Sequence, residues 1–261
     1  MMPAAEVVNA YKQRARFAAE DTVAVQRPRL LRGLLCEAAH VAEIPCGAGH
    51  FLTEYARTGC AATLVDASPE MLAVAMRNAV EAGLPTDRTF PVVAFVQELG
   101  FLADVDLLVV PNGALNQLVC QSPLISLLAS LHRAIRPGTT MLTQVVCTHG
   151  GQLVDTATFY DAAFPHGAWF IDRFLDPVRT DGAVFRQRRQ HRRGSLLHIE
   201  FAYCDEAGAS LAVMTAELAL LSALNLAKAF AAAGFTDIRF VPGHGGPSEV
   251  VATSRAPGEQ P

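Results

Sequence analysis

With 261 residues, 51% of them hydrophobic, 18% charged and a net charge of −4, the chain has the composition of a packed globular protein and not of a disordered one. The mild acidity excludes a global field that would attract nucleic acid or anionic lipid. Six scattered cysteines without a CxxC pair argue against a disulfide framework or a zinc site. No apolar run is long enough to cross a bilayer and the N-terminal residues lack a signal core, so a cytoplasmic protein without a membrane partner is expected.

In chain order, residues 4–36 read as helices with a break around Gln26, Arg27 and Pro28. From residue 39 strands and helices alternate. HVAEI is a strand and GHFLTEYART a helix. AATLVDA is the next strand, followed by a helix with Ser68 as N-cap, Pro69 in its first turn and Gly83 at its end. VVAFVQE and DLLVVP read as strands, the second apolar enough to be buried on both faces. SPLISLLASLHRAI is a helix stopped by Pro137 and Gly138, and TTMLTQVVC is another strand. This alternation predicts an α/β fold, doubly wound on a mainly parallel sheet.

The alternation breaks near His149. Residues 150–180 are aromatic-rich and irregular, and three extended runs follow: VFRQRRQHRR, LLHIEFAYCDEAG and ASLAVMTAELALL. They predict antiparallel strands inserted before a last helix (NLAKAFAAAG) and two closing strands (TDIRFV, SEVVATSRA). The chain is expected to be one domain, with residues 1–37 as an N-terminal helical cap and residues 150–222 as an inserted cap over the substrate.

The turn EIPCGAGH, Glu43 to His50, joins the first strand to the first helix of the alternation. It lacks the Lys-Ser/Thr of a Walker A loop. Read as a dinucleotide loop, it has Leu52 where the third small residue belongs, and Glu43 would repel a pyrophosphate. An acid beside glycines suits a ligand bearing a cation.

At this turn the chain resembles the class I S-adenosylmethionine (SAM)-dependent methyltransferases, whose first motif has an acid followed by a glycine-rich turn. EIPCGAG fits that motif except at Pro45, which stiffens the turn. LVDASPEML matches the end of the family's second strand, and FVQEL, LHRAIRPGTTML and AAAGFTDIRFV…SEVVATSRA match later features. The resemblance covers roughly residues 36–147 and 223–256 and implies a seven-stranded sheet with SAM as cofactor. It places Glu43, Pro45, Gly47 and Gly49 at the turn, Asp66 on the ribose hydroxyls with Ala67 and Met71 beside it, Glu98 and Leu99 at the adenine, and Asn112 near the methyl.

Methyl transfer requires alignment and exclusion of water more than acid–base chemistry. Candidates for orienting the acceptor are Asn112 and Asn116 in PNGALNQL, with a strand-ending turn as the plain alternative. Tyr11, His50 and His166 are further polar candidates, each with a packing role as its alternative, and Arg14 or Arg29 is a candidate partner for the cofactor carboxylate. Tyr160, Phe164, Trp169 and Phe170 offer either an acceptor pocket or the core of the cap. The run RQRRQHRR reads as a solvated face or subunit contact.

The resemblance thus implies a methyltransferase acting on a small molecule, with an amine nitrogen favoured over a hydroxyl oxygen. A role in natural-product tailoring fits, and the protein is expected to be a monomer or homodimer. The alternatives are a SAM-consuming cyclase and a non-catalytic SAM-binding protein.

Overall fold

The computed structural model describes residues 15, 17, 25–149, 152–154, 164, 166–175, 177, 182–243 and 247–256. Helix α1 (Leu31–Leu35) precedes strand β1 (His40–Glu43). The glycine turn leads into α2 (Leu52–Thr58), then β2 (Ala61–Asp66) and α3 (Pro69–Glu81). The next elements are β3 (Thr89–Val93), β4 (Leu107–Val110), α4 (Ala114–Leu118), α5 (Leu124–Ala134) and β5 (Thr140–Val145). Short strands β6 (Cys147–His149) and β7 (Gln152–Val154) come before β8 (Phe170–Phe174). Long strands β9 (Val184–Arg193), β10 (Leu196–Asp205) and β11 (Ser210–Ala219) run into β12 (Leu221–Ser222). Helix α6 (Ala223–Ala232), β13 (Phe235–Val241) and β14 (Ser248–Ser254) close the chain.

The main sheet has the order β13-β14-β5-β4-β1-β2-β3. Strands β1 to β5 pair in parallel, while β14 runs antiparallel to both β5 and β13. All four residues of β4 are buried, because both faces are covered. Leu108 and Val110 face α5 and α6; Leu107 and Val109 face the side of α1, α2 and α3. Strand β1 has β2 on one side and β4 on the other, so the order reverses there, and a ligand crevice forms outside the carboxyl ends of the strands at such a point.

Helix α3 begins as its sequence dictates: the Ser68 hydroxyl accepts the Met71 N–H at 3.3 Å, and Pro69 occupies the first turn. The third strand differs from the sequence expectation. It covers Thr89–Val93 rather than VVAFVQE, and residues 96–98 form a single 3-10 turn. Pro91 counts against a central strand, but β3 is the edge of the sheet, where a missing N–H removes no ladder bond.

The inserted strands form a second sheet of order β11-β10-β9-β8. The three long runs fall where period-two patterning puts them; β8, within the aromatic stretch, is a fourth strand that irregular spacing concealed. One face carries Leu197, Ile199 and Leu218 against Val146 of the main domain, and Tyr203 stacks on Phe17 at 4.6 Å.

That inward face also corrects the reading of the basic run. Arg186 and Arg188 are buried, and Arg186 forms a two-pronged pair with Asp172 at 2.9 and 2.8 Å while lying over the Phe201 ring. Only the alternate residues of β9 face outward. Arg189 there pairs with Glu200 and lies over Trp169. Among the described residues, no helix is long and apolar enough to cross a membrane.

Candidate functional site

The turn after β1 is organised by one carboxylate. Glu43 is fully buried, and its Oε1 accepts the backbone N–H of His50 at 2.7 Å and faces His50 Nδ1 at 2.9 Å. Its Oε2 accepts the Tyr55 hydroxyl at 2.5 Å. Burial, reinforced by the Glu43 charge, pushes the Tyr55 phenol well above its ordinary pKa and keeps it a donor. Glu43 therefore braces the turn through contacts with the His50 N–H, the His50 ring and the Tyr55 hydroxyl. Tyr55 is a partner that sequence reasoning missed, because nothing local marks one aromatic residue of α2 as facing the acid.

Pro45 follows a cis peptide bond and opens the turn. Gly47 and Gly49 both have positive φ, at 54° and 84°. A Cβ on Gly49 would lie 2.3 Å from Leu52 Cδ1, so the leucine that spoils a dinucleotide fingerprint occupies space that Gly49 leaves open. The Cys46 thiol lies inside the turn, where burial and the nearby Asp66 and Glu43 push its pKa well up, which keeps it a protonated, inert thiol.

Asp66, at the end of β2, is buried beside this turn. Its Oδ2 accepts the Gly47 N–H at 2.8 Å and its Oδ1 the Ser68 N–H at 2.9 Å. Ala67 is half-buried next to it. Met71 packs with Ala48 and Val74, and its Cε lies 3.7 Å from where a Gly47 Cβ would stand. Residues 43, 47, 49, 66 and 71 thus gather around one turn. Glu98 ends the 3-10 turn and is exposed; Leu99 packs against the core beside it. Neither ends a strand, because β3 stops at Val93.

The two asparagines part ways. Asn112 takes positive φ, 48°, just past β4, and its N–H is accepted by Gln144 Oε1 at 3.0 Å. Its side-chain amide makes no hydrogen bond among the described residues. Asn116 is fully buried: its Nδ2 donates to the carbonyls of Val146 and Ala219 at 2.8 and 2.7 Å, and its Oδ1 accepts the Val146 N–H at 2.9 Å. It fastens α4 to the β5–β6 break and to the end of β11. This replaces the expectation that Asn116 orients an acceptor.

His166 is exposed and meets His191 edge-on, with ring centroids 5.1 Å apart. His191 is on the outward face of β9, so the second sheet separates His166 from the crevice, against its predicted catalytic place. Alternation divides the aromatic stretch likewise: Trp169 faces outward under Arg189, while Phe170 faces inward under Arg188 and stacks on Phe164. Arg29 contributes its backbone N–H to Glu249. Tyr11, Arg14 and Tyr160 lie outside the described residues.

Gln144 and Glu249, opposite each other on β5 and β14, form a clamp that the sequence did not reveal. Gln144 Nε2 donates to the Gln26 carbonyl at 2.8 Å. The Glu249 carboxylate accepts the N–H groups of Arg29 and Leu30 at 2.6 and 3.1 Å. Two residues buried in the sheet thus fix the entry to α1.

Residues 41–138 match the family model described as a methyltransferase domain. Three solved structures show the same fold. The sugar N-methyltransferase KedS8 from Streptoalloteichus aligns at 19% identity and TM-score 0.65, over 98% of this chain and 94% of that one. SAM-bound CalS10, an amino pentose methyltransferase from Micromonospora echinaspora, aligns at 21% and 0.60, over 97% of each chain. The 1,6-didemethyltoxoflavin-N1-methyltransferase of Burkholderia thailandensis, with S-adenosylhomocysteine bound, aligns at 18% and 0.55, over 98% and 92%. None of the curated proteins compared matches the sequence.

The residues present fit SAM. Gly47 and Gly49 take the positive φ that a tight turn requires, and a carboxylate able to accept several hydrogen bonds stands beside Gly47.

Proposed function

We propose that this protein transfers the methyl group of SAM to a small molecule, at an amine nitrogen, in the tailoring of a natural product. The observation that carries the reading is the contact of Asp66 with Gly47 at the sheet's reversal point, with Asn112 just past the neighbouring strand β4. SAM supplies a methyl group already activated by its sulfonium. Asp66 holds the ribose, the Gly47–Gly49 turn runs beside the chain beyond it, and Asn112 orients the acceptor through its side-chain carbonyl. The inward face of the second sheet, with Phe170, Phe201 and the Arg186–Asp172 pair, serves as the cap that excludes water. An amine that arrives deprotonated needs no base, consistent with the removal of Asn116 and His166 from the reacting end. The amine preference is supported by the sugar N-methyltransferase and amino pentose methyltransferase among the similar structures.

Calorimetric titration with SAM and S-adenosylhomocysteine tests the cofactor, followed by a screen of amino sugars and other amines against phenols. Micromolar binding of both is expected, with Asp66→Ala losing it. Wild-type protein that binds neither sinks the reading; turnover of phenols alone moves the acceptor atom to oxygen.

A further inference from the structure

The mechanism above leaves His50 unused. Glu43 Oε1 accepts the His50 backbone N–H, and the 2.9 Å contact at Nδ1 is a hydrogen bond to the same oxygen in the tautomer that carries its proton on Nδ1. With the proton on Nδ1, the imidazole presents Nε2 as its acceptor nitrogen. Among the described residues Nε2 makes no hydrogen bond, and the side chain keeps 15% of its surface accessible. The ring reaches over the turn: Cε1 and Nε2 lie 3.2 and 3.7 Å from the position of a Cβ on Gly47. Asp66 touches the same glycine through its N–H, so the imidazole and the carboxylate flank one residue.

We infer that His50 Nε2 is a second acceptor for the ribose of the cofactor, sharing the vicinal diol with Asp66. This rests on the SAM reading above. The two oxygens of Asp66 each already receive a backbone N–H, from Gly47 and Ser68, so the carboxylate is held in one orientation. A diol has two O–H donors, and an acceptor fixed on the other flank of Gly47 receives the second one. Glu43 is then a positioning residue: through Nδ1 it sets which imidazole nitrogen faces the ligand.

The test is calorimetric binding of S-adenosylhomocysteine and of its 2′,3′-dideoxy analogue to wild type, His50→Asn and His50→Gln. Asparagine preserves a donor at the Nδ1 position and has nothing at Nε2; glutamine reaches the Nε2 position with a carbonyl. His50→Asn should weaken S-adenosylhomocysteine about tenfold, the scale of one lost hydrogen bond. It should leave the dideoxy analogue within about twofold, and His50→Gln should keep most of the affinity. Equal loss for both ligands, or no loss in His50→Asn, overturns the inference. Wild type that fails to bind S-adenosylhomocysteine overturns the SAM reading itself, so the two failures are distinct.

Discussion

Asn112 and Asn116 are the same residue type four positions apart, and their surroundings give them opposite roles. Replacing Asn116 by alanine would strand the Val146 N–H and two carbonyls in a buried setting, at a cost of about 1–3 kcal/mol for each group left unpaired. Asn116→Ala should therefore lose about 3 kcal/mol in denaturant unfolding, with a clear drop in melting temperature. Asn112→Ala should lose about 1 kcal/mol, chiefly from its positive φ, while impairing turnover. If both variants are equally stable, the anchoring role of Asn116 is wrong. Sequence placed both residues correctly after the fourth strand. Their division of labour depends on Val146 and Ala219, 30 and 103 residues away, and no local pattern encodes that.

At the scale of elements, patterns set by neighbouring residues were legible and partnerships were not. Ser68 and Pro69 mark the start of α3, and period two marks β9, β10 and β11. Composition points the arginines of β9 toward water; Asp172, on strand β8, instead draws Arg186 inward. The clamp on α1 shows the same limit, as Glu249 meets Arg29 across 220 positions. Glu249→Leu leaves two N–H groups of the α1 entry without an acceptor. It should cost about 2–4 kcal/mol and raise proteolytic cleavage before α1; a variant as protease-resistant as wild type would argue against the clamp.

For the whole molecule, acid should weaken the fold in two stages. Burial holds the His40 pKa below its usual value, against the pull of Asp104 and Asp106. The unfolded chain therefore takes up that proton first, and stability falls as pH drops through about 6.5. Burial alone would raise the Asp106 pKa, but the N–H groups of Ala39 and His40 and the Arg136 guanidinium outweigh it and hold the pKa below the usual range. Its contribution is present above the unfolded carboxylate value, about 3.9, and is lost as pH falls through the lower folded value. Urea titrations across pH 3–8 should show His40→Gln flattening the first decline and Asp106→Asn the second. Unchanged curves would mean that other groups set the acid limit.

Pro91 has a consequence beyond explaining where β3 lies. The rim formed by β3 cannot offer an N–H at that position, and the opposite rim, β13, is interrupted by an irregularity between Thr236 and Arg239 with Asp237 at positive φ. Two open margins that would otherwise recruit strands from other molecules are thus both spoiled as templates. In a crowded solution of this protein, a strand from another molecule meets a gap at Pro91 where it would need a donor to zip on sideways.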